Sequence, residues 1–360
     1  MNSKRQSLSG RKSARNRRSF LASTVAFAAL VALRPRLVAA EPARKLKLGF
    51  LGVGHSHFKE KFKVIRESPD WELVGLCEED EAVRAKGPAG ARWLSAEELF
   101  AAAEVVAVES AVPHHARDAK RALLAGKHVH VEKPPADTLE GLRELLRLAA
   151  EKRRLLQIGY MWRHNPGIVA AVDAARQGWL GDVYLVRAMI NTQAGPEQRA
   201  EWARFRGGLM FELGCHLIDP MVRLLGQPLQ VTPHLHHHAL PADGLADNCI
   251  AVLDFPKAQG VISSASLQPN AGTHRGFEVL GTNGTARVQP LEPPGLTLDL
   301  AKPAGPYAAG PQEVKLPAYR RYVDEAVELA ALIRAGRALP VSAEQELNVQ
   351  EALLRACDMG

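Results

Sequence analysis

Glu132-Lys133-Pro134 closes an apolar strand, His128-Val129-His130-Val131, that follows a glycine turn at Gly52-Val53-Gly54. A lysine fixed at the carboxyl end of a sheet strand, beside a nucleotide site, can offer a charge or a proton to a reacting oxygen. Glu212 and His216 stand four apart in the run Gly207 to Asp219, so a helix there would put both on one face. Oxidising a secondary alcohol needs a base for the hydroxyl proton and a cation for the developing negative charge, meeting at one oxygen while hydride leaves the carbon. Lys133 is the candidate cation or proton donor. His216, whose ring titrates near neutrality, is the candidate base, and Glu212 would orient it or bind a substrate hydroxyl.

These groups need a frame. Short apolar runs at Lys45 to Leu51, Glu72 to Cys77, Glu104 to Val108 and His128 to Val131 alternate with amphipathic stretches at Ser95 to Ala103, His114 to Ala125 and Thr138 to Lys152. That alternation predicts a doubly wound parallel sheet covered by helices on both faces. Beyond Leu156 to Tyr160 the pattern becomes a helix from Pro166, a strand over Asp182 to Ile190 and the Gly207 helix. Strand-like runs follow at Ala251 to Phe255, Gly260 to Leu267, Phe277 to Leu280 and Thr285 to Val288. This order predicts an α+β domain on a largely antiparallel open sheet. The Pro- and Gly-rich stretch from Pro290 to Pro317 reads as an irregular excursion before helices at Tyr319 to Ala335 and Ala343 to Cys357. The expected organisation is a leader over 1–40, a nucleotide domain over 45–160, a substrate domain over 161–340 and a C-terminal helix over 341–360.

Gly52 and Gly54 follow a strand, the context in which a GxG turn brings backbone amides to a pyrophosphate. Glu78 lies 26 residues after Gly52, at the end of the second strand, where a carboxylate accepts hydrogen bonds from ribose hydroxyls and repels a 2′-phosphate. The expected cofactor is therefore NAD rather than NADP. His57 occupies the third fingerprint position, where it either points at the cofactor or faces solvent.

Taken in order, the Gly52 turn, the Glu132-Lys133-Pro134 tripeptide, Arg163-His164-Asn165-Pro166 and the Gly207 to Asp219 run resemble the Gfo/Idh/MocA family, named for glucose-fructose oxidoreductase and inositol dehydrogenase. The resemblance extends from Lys45 nearly to the C-terminus. It implies an N-terminal Rossmann domain that binds NAD through Gly52, Gly54, His57, Glu78, Glu132 and Pro134. It implies a small polyhydroxylated substrate in the cleft, with Lys133 and His216 on the reacting hydroxyl and Arg163 and Asn165 as sugar or nicotinamide contacts. A homo-oligomer through the C-terminal sheet is expected as well. The chain departs from the family at His57, where glycine is usual, and at Glu212, where aspartate is commoner.

Residues 1–40 hold nine bases and no acid, with Arg17-Arg18 ahead of an apolar run of 14 residues, Phe20 to Leu33, and Val38-Ala39-Ala40 offering small residues for cleavage. This reads as a twin-arginine export signal and predicts an exported, periplasmic protein handled by the twin-arginine machinery. The run is short of the roughly 20 residues that span a bilayer, so no stable membrane span is expected. The formal charge of +7 becomes −2 once the leader's nine bases are set aside, which removes the compositional case for nucleic-acid binding. Cys77, Cys215, Cys249 and Cys357 are widely spaced and read as buried thiols. Alternate histidines His234, His236 and His238 would share a strand face, but no carboxylate–histidine pattern surrounds them and no metal is expected. Because an exported enzyme meets no nicotinamide pool, a redox-neutral reaction on retained NAD (epimerisation or keto-assisted glycoside cleavage) is one alternative to a dehydrogenase. A catalytically silent sugar-binding protein is the other.

Overall fold

The computed structural model describes residues 44–239 and 243–360. The expected twin-arginine leader lies outside the described residues. Among them, no helix is long and apolar enough to cross a membrane.

The first half builds a parallel sheet from β1 (Leu46–Leu51), β2 (Trp71–Cys77), β3 (Val105–Val108), β4 (His128–Val131) and β5 (Leu156–Ile158), in the spatial order β2-β1-β3-β4-β5. Val105, Val106, Val108, Val129 and Val131 are all completely buried, as strands covered on both faces require. The covering helices are α1 (Phe58–Glu67), α2 (Glu81–Arg84), α3 (Ala96–Ala102), α4 (His115–Leu124) and α5 (Leu139–Lys152). Their starts are legible locally: Ser95 and Glu98 form a capping box on α3, and the Thr138 hydroxyl accepts the Gly141 N–H at 3.1 Å to begin α5. Leu142, Leu145, Leu148 and Ala149 then fall on one face of α5 and are buried. The strand order reverses between β1 and β3, so their carboxyl ends open a crevice at Gly52 and Ser110.

The second half contains α6 (Pro166–Arg176), α7 (Pro196–Trp202), α8 (Cys215–Leu225), α9 (Val323–Ala335) and α10 (Ala343–Ala356). Its strands are β6 (Val183–Met189), β7 (Gln230–His236), β8 (Asn248–Asp254), β9 (Gln259–Ala265), β10 (Gly276–Gly281), β11 (Gly284–Leu291), β12 (Pro294–Leu300) and β13 (Gly310–Val314). They form one sheet in the order β13-β12-β11-β10-β6-β9-β8-β7, antiparallel except for the parallel β6–β9 pair.

The stretch from Pro290 to Pro317 is not an irregular excursion. It holds the β11–β12 hairpin and the edge strand β13, with the prolines near the turn, where Leu291 pairs with Pro294. Leu296, Leu298 and Leu300 point into the core while Thr297 and Asp299 are exposed, so a period-two pattern outweighs the prolines and glycines around it.

The Gly207 run also differs in detail from the uniform helix expected of it. A π-helical turn over Met210–Gly214 precedes α8. Such wide turns are concentrated at functional sites, and this one carries Glu212.

Candidate active site

The crevice at the ends of β1 and β3 is a groove of about 510 Å³ lined by Gly52, Gly54, Glu78, Ser110 and His114, and also by Glu201 of α7 and Arg204 just after it. Gly52 has φ +81°, and a Cβ there would lie 2.4 Å from the Ser110 backbone, so the tight turn requires glycine. Gly54 is different. A Cβ on it would meet Ala111 N only at 3.5 Å, an ordinary contact, so protein packing does not demand glycine and the bare backbone leaves room in the groove. Glu78 Oε2 accepts the Val53 N–H at 3.0 Å and Oε1 accepts the Asp80 N–H at 3.0 Å, which fixes the carboxylate on the groove wall. An open glycine turn at a strand end and a fixed carboxylate on the next strand fit a dinucleotide. Arg121, on the same wall, pairs with Glu79 at 2.8 Å.

Lys133 is completely buried, and its Nζ donates to Glu212 Oε1 at 2.7 Å and to Glu212 O at 2.9 Å. The nucleotide-domain strand and the π turn therefore meet through one ion pair. Burial would weaken the Lys133 ammonium, but the neighbouring negative groups, Glu212 first and Glu132 behind it, together outweigh it and the lysine holds its proton more tightly than usual. Glu212 feels the converse: burial would raise its carboxyl, while Lys133 draws it down to about 2.

His216 is 2 % exposed, and its Nδ1 has no partner. Burial first and Lys133 second push its ring well below the usual histidine range, so it is neutral at pH 7. Glu212 does not bond His216; it is committed to Lys133. The His216 ring packs 5.1 Å from Trp162 and 5.9 Å from His57, centre to centre.

His57 does not face solvent. It begins α1 and turns its Nδ1 to Glu132 Oε2 at 3.1 Å, and burial lowers its ring to about 4 despite that carboxylate. Glu132 also accepts the Lys133 N–H at 3.1 Å and pairs with Lys61. Pro134 contributes its carbonyl, which lies 2.8 Å from His115 Nδ1.

Arg163 and Asn165 are not brought to the Lys133–His216 pair. The Arg163 guanidinium is held by Asp219 at 2.7 Å and Glu346 at 2.6 Å, tying the segment before α6 to α8 and α10. Asn165, fully buried, caps α6 by accepting from the Gly167 and Ile168 N–H groups at 3.0 and 3.1 Å, and its Nδ2 donates to Leu291 O at 2.8 Å. Both use their polar groups to hold the frame.

A second set of buried residues lies beneath the site. His55, Lys61, Glu109, His115, His130 and Glu325 are all at most 6 % exposed. Lys61 projects inward from α1 and pairs with Glu132, with Glu109 at 3.4 Å and with Glu325 at 3.3 Å, and it also meets His130 Nε2. Burial lifts the Glu109 carboxyl well above the usual range; it would lift Glu132 too, but Lys61 and His57 hold that group well below. Among the described residues, His55–His57–Glu132 and Glu109–His130–Glu132 are the groups whose donor atoms lie close enough to share a metal ion. In the second the Lys61 ammonium already supplies the positive charge, and in the first His57 is hydrogen-bonded to Glu132. His234 and His236 lie on the edge strand β7, away from both groups.

Comparison with known proteins gives the family and agrees with the fold. The oxidoreductase-family model of an NAD-binding Rossmann fold matches residues 46–160, and the GFO/IDH/MocA C-terminal domain model matches residues 168–287. An inositol 2-dehydrogenase of Rhizobium meliloti is 26% identical over 69% of this chain and 77% of its own length. A scyllo-inositol 2-dehydrogenase (NADP(+)) of Bacillus subtilis is 30% identical over 48% of each chain. In fold, the chain is similar to an aldose-aldose oxidoreductase from Caulobacter crescentus, with TM-score 0.72, 23% identity, and 88% of this chain and 98% of that one covered. With both the Rossmann domain and the C-terminal domain matched, the chain belongs to the Gfo/Idh/MocA family of NAD(P)-binding oxidoreductases.

Proposed function

We propose that this protein moves hydride between NAD and a secondary alcohol of a sugar or cyclitol, with Lys133 and His216 acting on the reacting oxygen. The observation that carries this reading is a buried ammonium clamped by Glu212, just past the end of β4 and so one strand over from the β1–β3 groove, together with a buried neutral histidine whose Nδ1 is free. Bound nicotinamide would accept or return the hydride with its electron pair. Lys133 would donate a hydrogen bond to the substrate oxygen and stabilise negative charge there, at no cost of reorganisation because Glu212 already fixes it. His216, kept neutral by burial, would take the hydroxyl proton during oxidation and return it during reduction. Glu212 would position Lys133.

NAD is favoured over NADP by Glu78, which is fixed on the groove wall and would repel a 2′-phosphate. The inositol and sugar dehydrogenases among its relatives support a polyhydroxylated substrate. The test is to purify the protein, release and identify any nucleotide, and add a panel of sugars and cyclitols. A bound nicotinamide that changes redox state with one of them supports the reading; a sugar that binds without any redox change favours the silent binding protein. The twin-arginine-like leader favours one variant, in which an exported protein retains NAD and runs a redox-neutral cycle.

A further inference from the structure

We propose that His55 is a proton shuttle joining the Lys133–Glu212 pair to a buried acid–base chain that ends at a separate cleft. The inference rests on the oxidoreductase reading but concerns the proton rather than the hydride. Each alcohol oxidised releases one hydride, with its electron pair, to nicotinamide and one proton to protein; reduction consumes both. His216 is a poor resting place for that proton, because it is buried beside a charged lysine. With the dinucleotide filling the groove, the proton needs another way to solvent.

His55 sits where such a route must pass. It is 4 % exposed, and each ring nitrogen faces carboxylate: Nε2 lies 3.8 Å from Glu212 Oε1, while Nδ1 lies 3.7 Å from Glu132 Oε2 and 3.8 Å from Glu109 Oε2. His55 Nε2 and Glu212 Oε2 are both buried without a hydrogen-bond partner. A structural histidine would satisfy these atoms. Each gap is about half an ångström or more beyond hydrogen-bond length, which a small side-chain rotation closes. The His57 and His115 rings enclose the imidazole, with centres 4.6 and 5.5 Å away.

Past Glu132 the chain continues through Lys61 to Glu325, 3.3 Å on. Glu325 lines a cleft of about 250 Å³ shared with Glu328, His164 and Glu346, distinct from the dinucleotide groove. Imidazole is suited to the junction because it can receive a proton on one nitrogen while releasing one from the other. Nδ1 accepts the His57 N–H at 3.3 Å, which places the ring proton on Nε2, toward Glu212. In that state His55 passes its Nε2 proton to Glu212 as Nδ1 takes one that the Lys61 ammonium hands on through the Glu132 carboxylate, Lys61 being reprotonated by way of Glu325, and Lys133 and His216 return a proton to the carbonyl oxygen as reduction proceeds. Oxidation runs the same transfers backward.

The test compares wild type with His55→Gln, which keeps the polar shape but cannot carry a proton. Hydride transfer is followed in H₂O and D₂O, and in wild type the His55 tautomer is read by ring-nitrogen NMR with and without Glu212→Gln. The expected result is turnover reduced by about 10²-fold with KM little changed, a larger solvent isotope effect, partial rescue of His55→Ala by added imidazole, and a tautomer that responds to Glu212→Gln. If His55→Gln does not fold, Glu325→Gln at the outer end of the chain replaces it and should show the same enlarged isotope effect. Turnover and isotope effect within twofold of wild type in the folded variant would overturn the shuttle. Wild type that transfers no hydride with any polyol would instead overturn the oxidoreductase reading on which it rests.

Discussion

Replacing Lys133 by Met should expose two separable effects. The side chain makes a 2.7 Å ion pair and a 2.9 Å bond to the Glu212 carbonyl, both fully buried. Removing the ammonium strands the Glu212 carboxylate, and breaking a buried pair from one side costs about 3–5 kcal/mol. Lys133→Met alone is therefore expected to be clearly destabilised in urea melts. The double variant Lys133→Met with Glu212→Gln removes the stranded charge and should recover most of that loss, since a neutral pair of similar volume is often no less stable than the ions. Catalysis should not recover. A preorganised donor at a developing oxyanion is worth roughly 10²–10³ in kcat, so the folded double variant should bind nucleotide normally and transfer hydride at least about 10²-fold more slowly. Stopped-flow measurement with the double variant separates the two effects. A stable double variant with wild-type kcat, or one altered only in KM, would show that Lys133 is a structural ion-pair partner and not a catalytic residue.

Glu78→Ala should weaken NAD binding and narrow the preference over NADP; calorimetric titration with both nucleotides checks it, and an unchanged ratio means another group reads the ribose. Gly52→Ala should lose nucleotide binding and stability together, because φ +81° and a 2.4 Å approach to Ser110 leave no place for a methyl group. Arg163→Met should strand Asp219 and Glu346 and cost about 3–5 kcal/mol, while the folded fraction keeps its substrate KM, so a raised KM would restore Arg163 as a substrate contact. His57 and His115 are both depressed to about 4 by burial, so the unfolded chain binds more protons between that value and the usual histidine pKa. Stability should accordingly fall as pH drops through this window, by up to about 3 kcal/mol per pH unit from the two groups, and urea midpoints that stay flat there would contradict their buried, neutral state. Arg17→Lys with Arg18→Lys should leave folded protein in the cytoplasm if the leader is read by the twin-arginine route, as cell fractionation would show.

The parallel sheet was legible because its strands are short, mostly apolar runs and some of its helices carry their own caps, as at Ser95 and Thr138. Lys133, Glu212 and His216 could be singled out because their spacing and flanking turns are local, but that Glu212 would pair with Lys133 rather than His216 could not be read from them. What the sequence concealed is long-range. Lys61 lies among the charged residues of Phe58–Glu67, yet it points inward, since only the folded chain brings Glu109, Glu132 and Glu325 around it. His55 looks like a spacer inside the glycine turn until the ends of β3 and β4 and the π turn are placed around it. Arg163 and Asn165, adjacent to the domain junction, suggested ligand contacts; the structural role of their polar groups was hidden because their partners Asp219, Glu346 and Leu291 lie 56 to 183 residues away. The alternation Leu296-Thr297-Leu298-Asp299-Leu300 was visible in sequence and outweighed there by the neighbouring prolines and glycines, although prolines at a strand end and a hairpin turn leave the ladder intact.

The most direct test follows one atom. Protein loaded with NAD is mixed, in a single turnover, with a sugar or cyclitol deuterated at the carbon bearing the reacting hydroxyl, and the nicotinamide is recovered and examined by mass spectrometry and NMR. Deuterium on the nicotinamide C4, a primary isotope effect on its appearance, and loss of both in the folded Lys133→Met, Glu212→Gln double variant are the expected results. Nucleotide that binds the Gly52–Glu78 groove yet gains no deuterium from any polyol would contradict the account, leaving Lys133 and His216 as parts of a binding site alone.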